Sequence, residues 1–65
     1  MATRKDYRKV AGILHRITKE VEVDVAATYT ATSITVALAD YFAEDNELFD
    51  RQRFLEAVET GKRID

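Results

Sequence analysis

The 65-residue chain contains no cysteine, no proline and no tryptophan, and its single histidine is His15. Without cysteine it forms neither disulfides nor a thiolate zinc site. A chain of this length makes one small domain, which buries only about 60% of the surface that its unfolded form exposes. Small scaffolds usually need a further source of support. With disulfides excluded, we expect helix packing and self-association to provide it.

A long hydrophobic run is also missing. The longest uncharged segment, residues 25–39, spans 15 residues and includes four threonines and a serine. A membrane-spanning helix needs about 20 consecutive, predominantly apolar residues. No secretory signal or lipidation motif opens the sequence. We therefore expect a soluble, cytoplasmic protein with no membrane contact.

Charge is distributed unevenly around a net value of −2. Residues 1–20 carry six basic and two acidic side chains, and residues 21–50 carry seven acidic side chains and no basic ones. The basic segment can attract the acidic segment, either within one molecule or between two copies. The candidate basic interaction face consists of Arg4, Lys5, Arg8, Lys9, Arg16, Lys19, Arg51 and Arg53. The candidate acidic docking face consists of Asp40, Glu44 and Glu47.

The first helix is marked by a capping box, in which Thr3 and Asp6 satisfy the free amide groups at a helix start. The apolar residues that follow are spaced three and four apart, as on one face of a helix. They are Tyr7, Val10, Leu14, Ile17 and Val21, with Ala11, Ile13 and Thr18 beside them. Gly12 inside this helix is interpreted as tolerated, with close approach of another group as the alternative.

Residues 21–35 carry two conflicting signals. Alternation and β-branched side chains favour strands. Apolar residues from Ala27 to Phe42 instead recur at helical spacing, and no glycine or proline interrupts them. They are Ala27, Ala31, Ile34, Ala37, Leu38, Tyr41 and Phe42. We predict a second helix that begins at Asp24 or Thr28 and ends at Asp45.

The third helix is predicted to begin at Asp50 as N-cap, with Phe49 and Phe54 at the spacing of a hydrophobic staple. Gly61 is a natural C-terminal stop. The prediction is an all-α, compact three-helix domain over residues 1–60, followed by a short polar tail, 61–65, from which Ile64 could dock. Two longer helices form a hairpin, and the short C-terminal helix covers its end.

Three segments resemble the small uncharacterised proteins common in phages of actinobacteria. They are Arg4-Lys5-Asp6-Tyr7, residues 37–46 (ALADYFAEDN) and residues 49–57 (FDRQRFLEA). Together they cover roughly half of the chain, and the last is the most specific. Glu47 stands where that group often has proline. The resemblance implies a helical fold and a phage origin, with the host cytoplasm as location, and it implies no catalytic residue.

The residues that could carry chemistry do not form a catalytic pattern. Ser33 and His15 fall on different predicted helices, and no glycines flank the serine as in a nucleophile elbow. His15 is expected on the polar, exposed side of the first helix. The acidic face could bind a hard cation, although no loop resembles an EF-hand, so a solvated surface is favoured. We expect no enzyme, no metal, no cofactor and no small-molecule substrate.

The leading hypothesis is therefore a protein–protein interaction module that binds a host or phage protein, and also itself as a homodimer. Self-association would use the face of the second helix that is rich in alanine and threonine. The alternative is a small DNA-binding accessory or regulatory protein that uses the basic first helix together with Arg51 and Arg53. The sequence pI of about 5.3 counts against nucleic acid as the partner.

Overall fold

A computed structural model describes residues 2–62 of the chain. These residues form three α-helices and no strand: α1 (Arg4–Val21), α2 (Val25–Asp45) and α3 (Arg51–Thr60). The predicted all-α fold is confirmed, with two long helices in a hairpin and a short third one. The end of the predicted polar tail, including Ile64, lies outside the described residues.

The capping box at the start of α1 is confirmed. The Thr3 amide donates to Asp6 Oδ2 at 2.9 Å, and the Asp6 amide donates to Thr3 Oγ1 at 3.4 Å. The hydrogen bond from the Thr3 backbone, followed by that from its hydroxyl, lowers the pKa of Asp6 below its ordinary value of 3.8. This stabilisation is fully present above that ordinary value and is lost as the pH falls through the lowered pKa.

Residues 25–35 are helical, so the helical spacing of their apolar residues prevails over their β-branched composition. Asp24 is the N-cap, and its carboxylate accepts from the Ala27 amide at 3.1 Å. The hydroxyls of Thr30 and Thr35 donate to carbonyl oxygens four residues earlier, at 3.1 and 2.9 Å. The helix therefore provides acceptors for its own threonine hydroxyls. Burial of one side of α2 offsets the low helix propensity of threonine.

Two contacts fix how α1 and α2 pair along the hairpin. Next to the turn, Thr28 Oγ1 donates to the Val21 carbonyl oxygen at 3.0 Å. At the open end, the ring centroids of Tyr7 and Phe42 lie 4.9 Å apart. Residues of α1 and α2 whose numbers add to about 49 are therefore at the same level along the hairpin.

The core at the open end is a cluster of four aromatic side chains. Tyr7, Phe42 and Phe54 are buried and Phe49 is half-buried. Their centroids are 4.6 Å apart for Tyr7 and Phe49 and 5.7 Å apart for Phe42 and Phe54. Asn46 Nδ2 donates to the Tyr7 hydroxyl oxygen at 3.3 Å. The cluster joins all three helices and the turn between α2 and α3.

Leu14, Val58 and several small residues fill the rest of the core. Ala11 of α1, Ala39 of α2 and Ala57 of α3 are buried, as are Ala31 and Thr35. Small side chains let helices approach closely, which is how a short chain closes a core. The buried part of the alanine- and threonine-rich side of α2, which was predicted to mediate self-association, is therefore used inside the protomer.

The predicted boundaries of α3 are confirmed. Asp50 Oδ1 accepts from the Arg53 amide at 3.0 Å, and the centroids of Phe49 and Phe54 lie 5.5 Å apart as in a hydrophobic staple. Gly61 ends the helix with φ of 76°, and its amide donates to the Ala57 carbonyl oxygen at 2.8 Å.

Replacing the N-cap of α3 tests how much this helix start contributes. We expect Asp50→Ala to lower the free energy of unfolding by about 0.5–2 kcal/mol, because one amide of the first turn loses its acceptor. Asp50→Ser is the matched control, since serine caps about as well as aspartate. Urea denaturation followed by circular dichroism measures both. An Asp50→Ala midpoint equal to that of the wild type would contradict the assignment of the cap.

Candidate interaction surfaces

One side of the α1/α2 hairpin exposes large apolar side chains. Ile13 and Ile17 of α1 are 47% and 40% exposed, and Ile34 and Tyr41 of α2 are 51% and 60% exposed. Ile13 and Ile17 lie one helical turn apart, and Ile34 and Tyr41 lie two turns apart. We call these four residues the hairpin face.

The pairing of the two helices brings these side chains to neighbouring levels. Since Val21 is opposite Thr28 and Tyr7 is opposite Phe42, Ile13 and Ile17 are level with residues 36 and 32. Ile34 therefore lies between their two levels. On α1, His15 points to α3, and Ile13 is about 200° away around the helix axis. The hairpin face is thus on the side of the hairpin that α3 does not cover.

Ile17, Ile34 and Tyr41 belong to the predicted apolar faces of the first two helices, and all three are exposed. A helix of ten residues is about 15 Å long, whereas α2 with 21 residues is about 32 Å long. Such a short third helix packs on one side of the hairpin and leaves the other side uncovered. The breadth of the apolar stripe on α1, which already included Ile13, is the sequence signal that could have indicated a second apolar surface.

The predicted basic face is divided into separate parts. Lys5, Lys9, Arg16 and Lys19 are exposed on the outer side of α1. Gly12 lies on the same side, and a Cβ added there would meet no other group within 4 Å. The interpretation of Gly12 as a tolerated glycine is therefore confirmed.

Arg51 does not join these residues, because its Nε donates to Asp40 Oδ1 at 2.9 Å on the α2/α3 side. Both side chains are exposed, and such a pair contributes little stability. Arg53 instead lies with Arg4 around a second cleft of about 420 Å³. The eight predicted basic residues therefore do not form one surface.

A cleft of about 430 Å³ lies between α1 and the C-terminal end of α3. Its lining includes four basic side chains and, among the described residues, no carboxylate. The basic residues are Lys5, Arg8, Lys9 and Lys62. Sequence reasoning did not include Lys62, which approaches α1 only because Gly61 turns the chain at the end of α3. We call this the α1/α3 cleft.

The predicted acidic face is smaller than expected. Asp40 and Glu44 are one turn apart on the outer edge of α2, and both are exposed. Glu47 lies beyond the helix, which ends at Asp45 with Asn46 as its C-cap. Glu47, which was grouped with Asp40 and Glu44 as one acidic face, therefore does not share a helix with them. Within residues 2–62 no three acidic or histidine side chains are placed to hold a metal ion together.

His15 was predicted to be exposed on the polar side of α1, and this is wrong. It is half-buried, and its Nδ1 lies 2.8 Å from the Val58 carbonyl oxygen on α3. The hydrogen bond joins α1 to α3. Ser33 is exposed on α2 and donates to the Tyr29 carbonyl oxygen at 3.0 Å. His15 and Ser33 each bond to a carbonyl oxygen, and these bonds give them structural roles.

A third cleft, of about 280 Å³, lies between the three helices, closer to the α1/α2 turn than the aromatic cluster is. Thr18, Thr32 and Thr35 contribute one wall, and Leu55 and Val58 contribute another. Thr35 already donates its hydroxyl to the Ala31 carbonyl oxygen. The cleft is a gap left by small side chains.

None of the helices formed by residues 2–62 combines the length and apolar character needed to cross a membrane. In comparisons with known proteins, no family model, no curated protein and no solved structure matches this chain.

The contact between His15 and Gly61 makes a stability prediction. A Cβ added at Gly61 would lie 2.7 Å from His15 Nε2, and φ of 76° is strained for any side chain. We expect Gly61→Ala to destabilise the domain by at least about 1 kcal/mol, because both effects oppose folding. His15→Ala removes the clash, so in the double variant the Gly61→Ala substitution should cost less than it does alone. Urea denaturation of all four proteins measures this coupling, and strictly additive effects would contradict it.

Proposed function

We propose that this chain is a protein–protein interaction module that binds its partner through the hairpin face. The observation that carries the proposal is the grouping of four large, exposed apolar side chains on the side of the hairpin that α3 leaves uncovered. Contiguous apolar surface of this kind typically marks a binding site. Aromatic and aliphatic anchors such as Tyr41 and Ile34 supply most of the affinity in such interfaces.

The polar side chains around the hairpin face support recognition of a particular partner. Basic Lys9 and Arg16 border it on the α1 side, and acidic Glu44 borders it on the α2 side. An apolar centre with a charged rim is the usual composition of a specific interface, in which the rim selects and orients the partner. A host or phage protein, or a second copy of the chain, would meet this requirement.

Capture with matched variants tests this function. The tagged chain is immobilised and exposed to nuclease-treated actinobacterial lysate that also contains the untagged chain. We expect the wild type to retain a protein at near-stoichiometric yield and Ile34→Asp to lose it, since a charge would be buried without a partner. Leu48→Asp is the control, because Leu48 is 87% exposed in the turn after α2 and outside the hairpin face. Equal capture by Ile34→Asp, or capture of no protein at all, would contradict the proposal.

Nucleic-acid binding is a second candidate, favoured by the α1/α3 cleft with its four basic side chains and no described carboxylate in its lining. Clefts of one charge concentrate the field that attracts phosphate groups. Arg51, which is paired with Asp40, does not line this cleft.

A salt titration distinguishes this candidate. We expect a duplex DNA probe to bind at low ionic strength, and Lys5→Ala with Lys9→Ala to reduce the slope of log affinity against log salt by about 2. Arg51→Ala should leave the slope unchanged. The candidate is contradicted if the wild type does not shift the probe at low salt, or if the double variant keeps the wild-type slope.

A further inference from the structure

We propose that the hairpin face is the interface of a homodimer, in which α1 of each copy packs on α2 of the other to form a four-helix bundle. This inference rests on the proposed function, because it identifies the partner of the hairpin face as a second copy of this chain. The third helix of each copy lies outside the bundle. Three features of the structure support this arrangement: the charges at the edges of the face, the levels of its apolar residues and its size.

Two-fold symmetry allows two ways to stack one hairpin face on another. If the axis runs along the helices, α1 of one copy covers α2 of the other. If the axis runs across the helices, α1 covers α1 and α2 covers α2. Both arrangements bury the same four apolar side chains, so the charged edges decide between them.

The edges favour an axis along the helices. The outer edge of α1 carries Lys9, Arg16 and Glu20 and is net positive. On α2, Asp40 is paired with Arg51 of α3, so Glu44 supplies the negative charge of the outer edge. Stacking α1 on α1 would place two basic edges together and two acidic edges together. Stacking α1 on α2 instead places each basic edge on an acidic edge, and symmetry repeats this contact twice.

The levels of the residues agree with the same arrangement. An axis along the helices keeps every residue at its own level, so Lys9 of one copy is level with residue 40 of the other, about one helical turn from Glu44. Ile13 is level with residue 36, which is between Ile34 and Tyr41 of the other copy. An isoleucine that enters the space between two apolar side chains of a facing helix makes the packing typical of four-helix bundles.

The face is large enough for a dimer. Helices of 18 and 21 residues are about 27 and 32 Å long, and each is about 10 Å wide. Two such helices give each copy a footprint of about 600 Å², or about 1,200 Å² for both. This value lies at the lower end of the range for specific interfaces.

Sedimentation equilibrium of the full chain tests the dimer. We expect the wild type to change from monomer to dimer across the micromolar concentration range, and Leu48→Asp to behave in the same way. Ile34→Asp should raise the Kd more than about 100-fold, because two charges enter one apolar interface. Circular dichroism of each variant checks that its helices are intact.

Charge reversal tests the arrangement of the helices. Lys9→Glu and Glu44→Lys should each weaken the dimer roughly tenfold, and the double variant should regain most of the wild-type affinity. Lys9 and Glu44 are exposed, so neither change disturbs the core. If Lys9→Glu strengthens association, α1 packs on α1 and the proposed bundle is wrong.

The outcomes separate the dimer from the proposed function. A wild-type monomer at hundreds of micromolar overturns the dimer, as does a dimer that Ile34→Asp leaves intact. If the wild type is monomeric but captures another protein through Ile34, the interaction function stands and only the dimer is lost. If it is monomeric and captures nothing that depends on Ile34, both proposals fail.

Discussion

Burial of Phe54 among the aromatic side chains of the other elements determines the rest of this structure. Phe54 is fully buried, and its ring packs against Phe42 and Phe49. This packing fixes the start of α3 to the open end of the hairpin, and the hydrogen bond between His15 and Val58 fixes it farther along. Because α3 has only ten residues and packs on one side of the hairpin, the other side is left uncovered.

The uncovered side is the origin of the hairpin face. In a larger protein a fourth helix would complete the bundle, since an amphipathic hairpin is stable only when its apolar residues are buried. Here Ile13, Ile17, Ile34 and Tyr41 remain partly exposed. A small domain that cannot use disulfides gains most from covering such a surface with another chain. The proposed function and the proposed dimer both follow from the side of the hairpin that α3 leaves uncovered.

Charge divides the surface in a corresponding way. Basic residues occupy the outer side of α1 and the α1/α3 cleft, and acidic residues occupy the outer edge of α2. Arg51 and Asp40 form an exposed ion pair that joins α2 to α3. Lys9 and Glu44, which have opposite charges, lie at the two edges of the hairpin face, where they can orient a partner.

The sequence alone determined the three helices and their ends, except for the start of α2, which it left between Asp24 and Thr28. Thr3, Asp50 and Gly61 act through amides and torsions within a few residues of themselves, so their roles can be read locally. Spacing also identified α2 despite its threonines. Tertiary structure decided which apolar residues are buried, because Ile17, Ile34 and Tyr41 fit the same helical spacing as the core and differ only in whether α3 reaches them. It likewise decided the role of His15, whose partner on α3 is distant in sequence, and the division of the basic residues among separate surfaces.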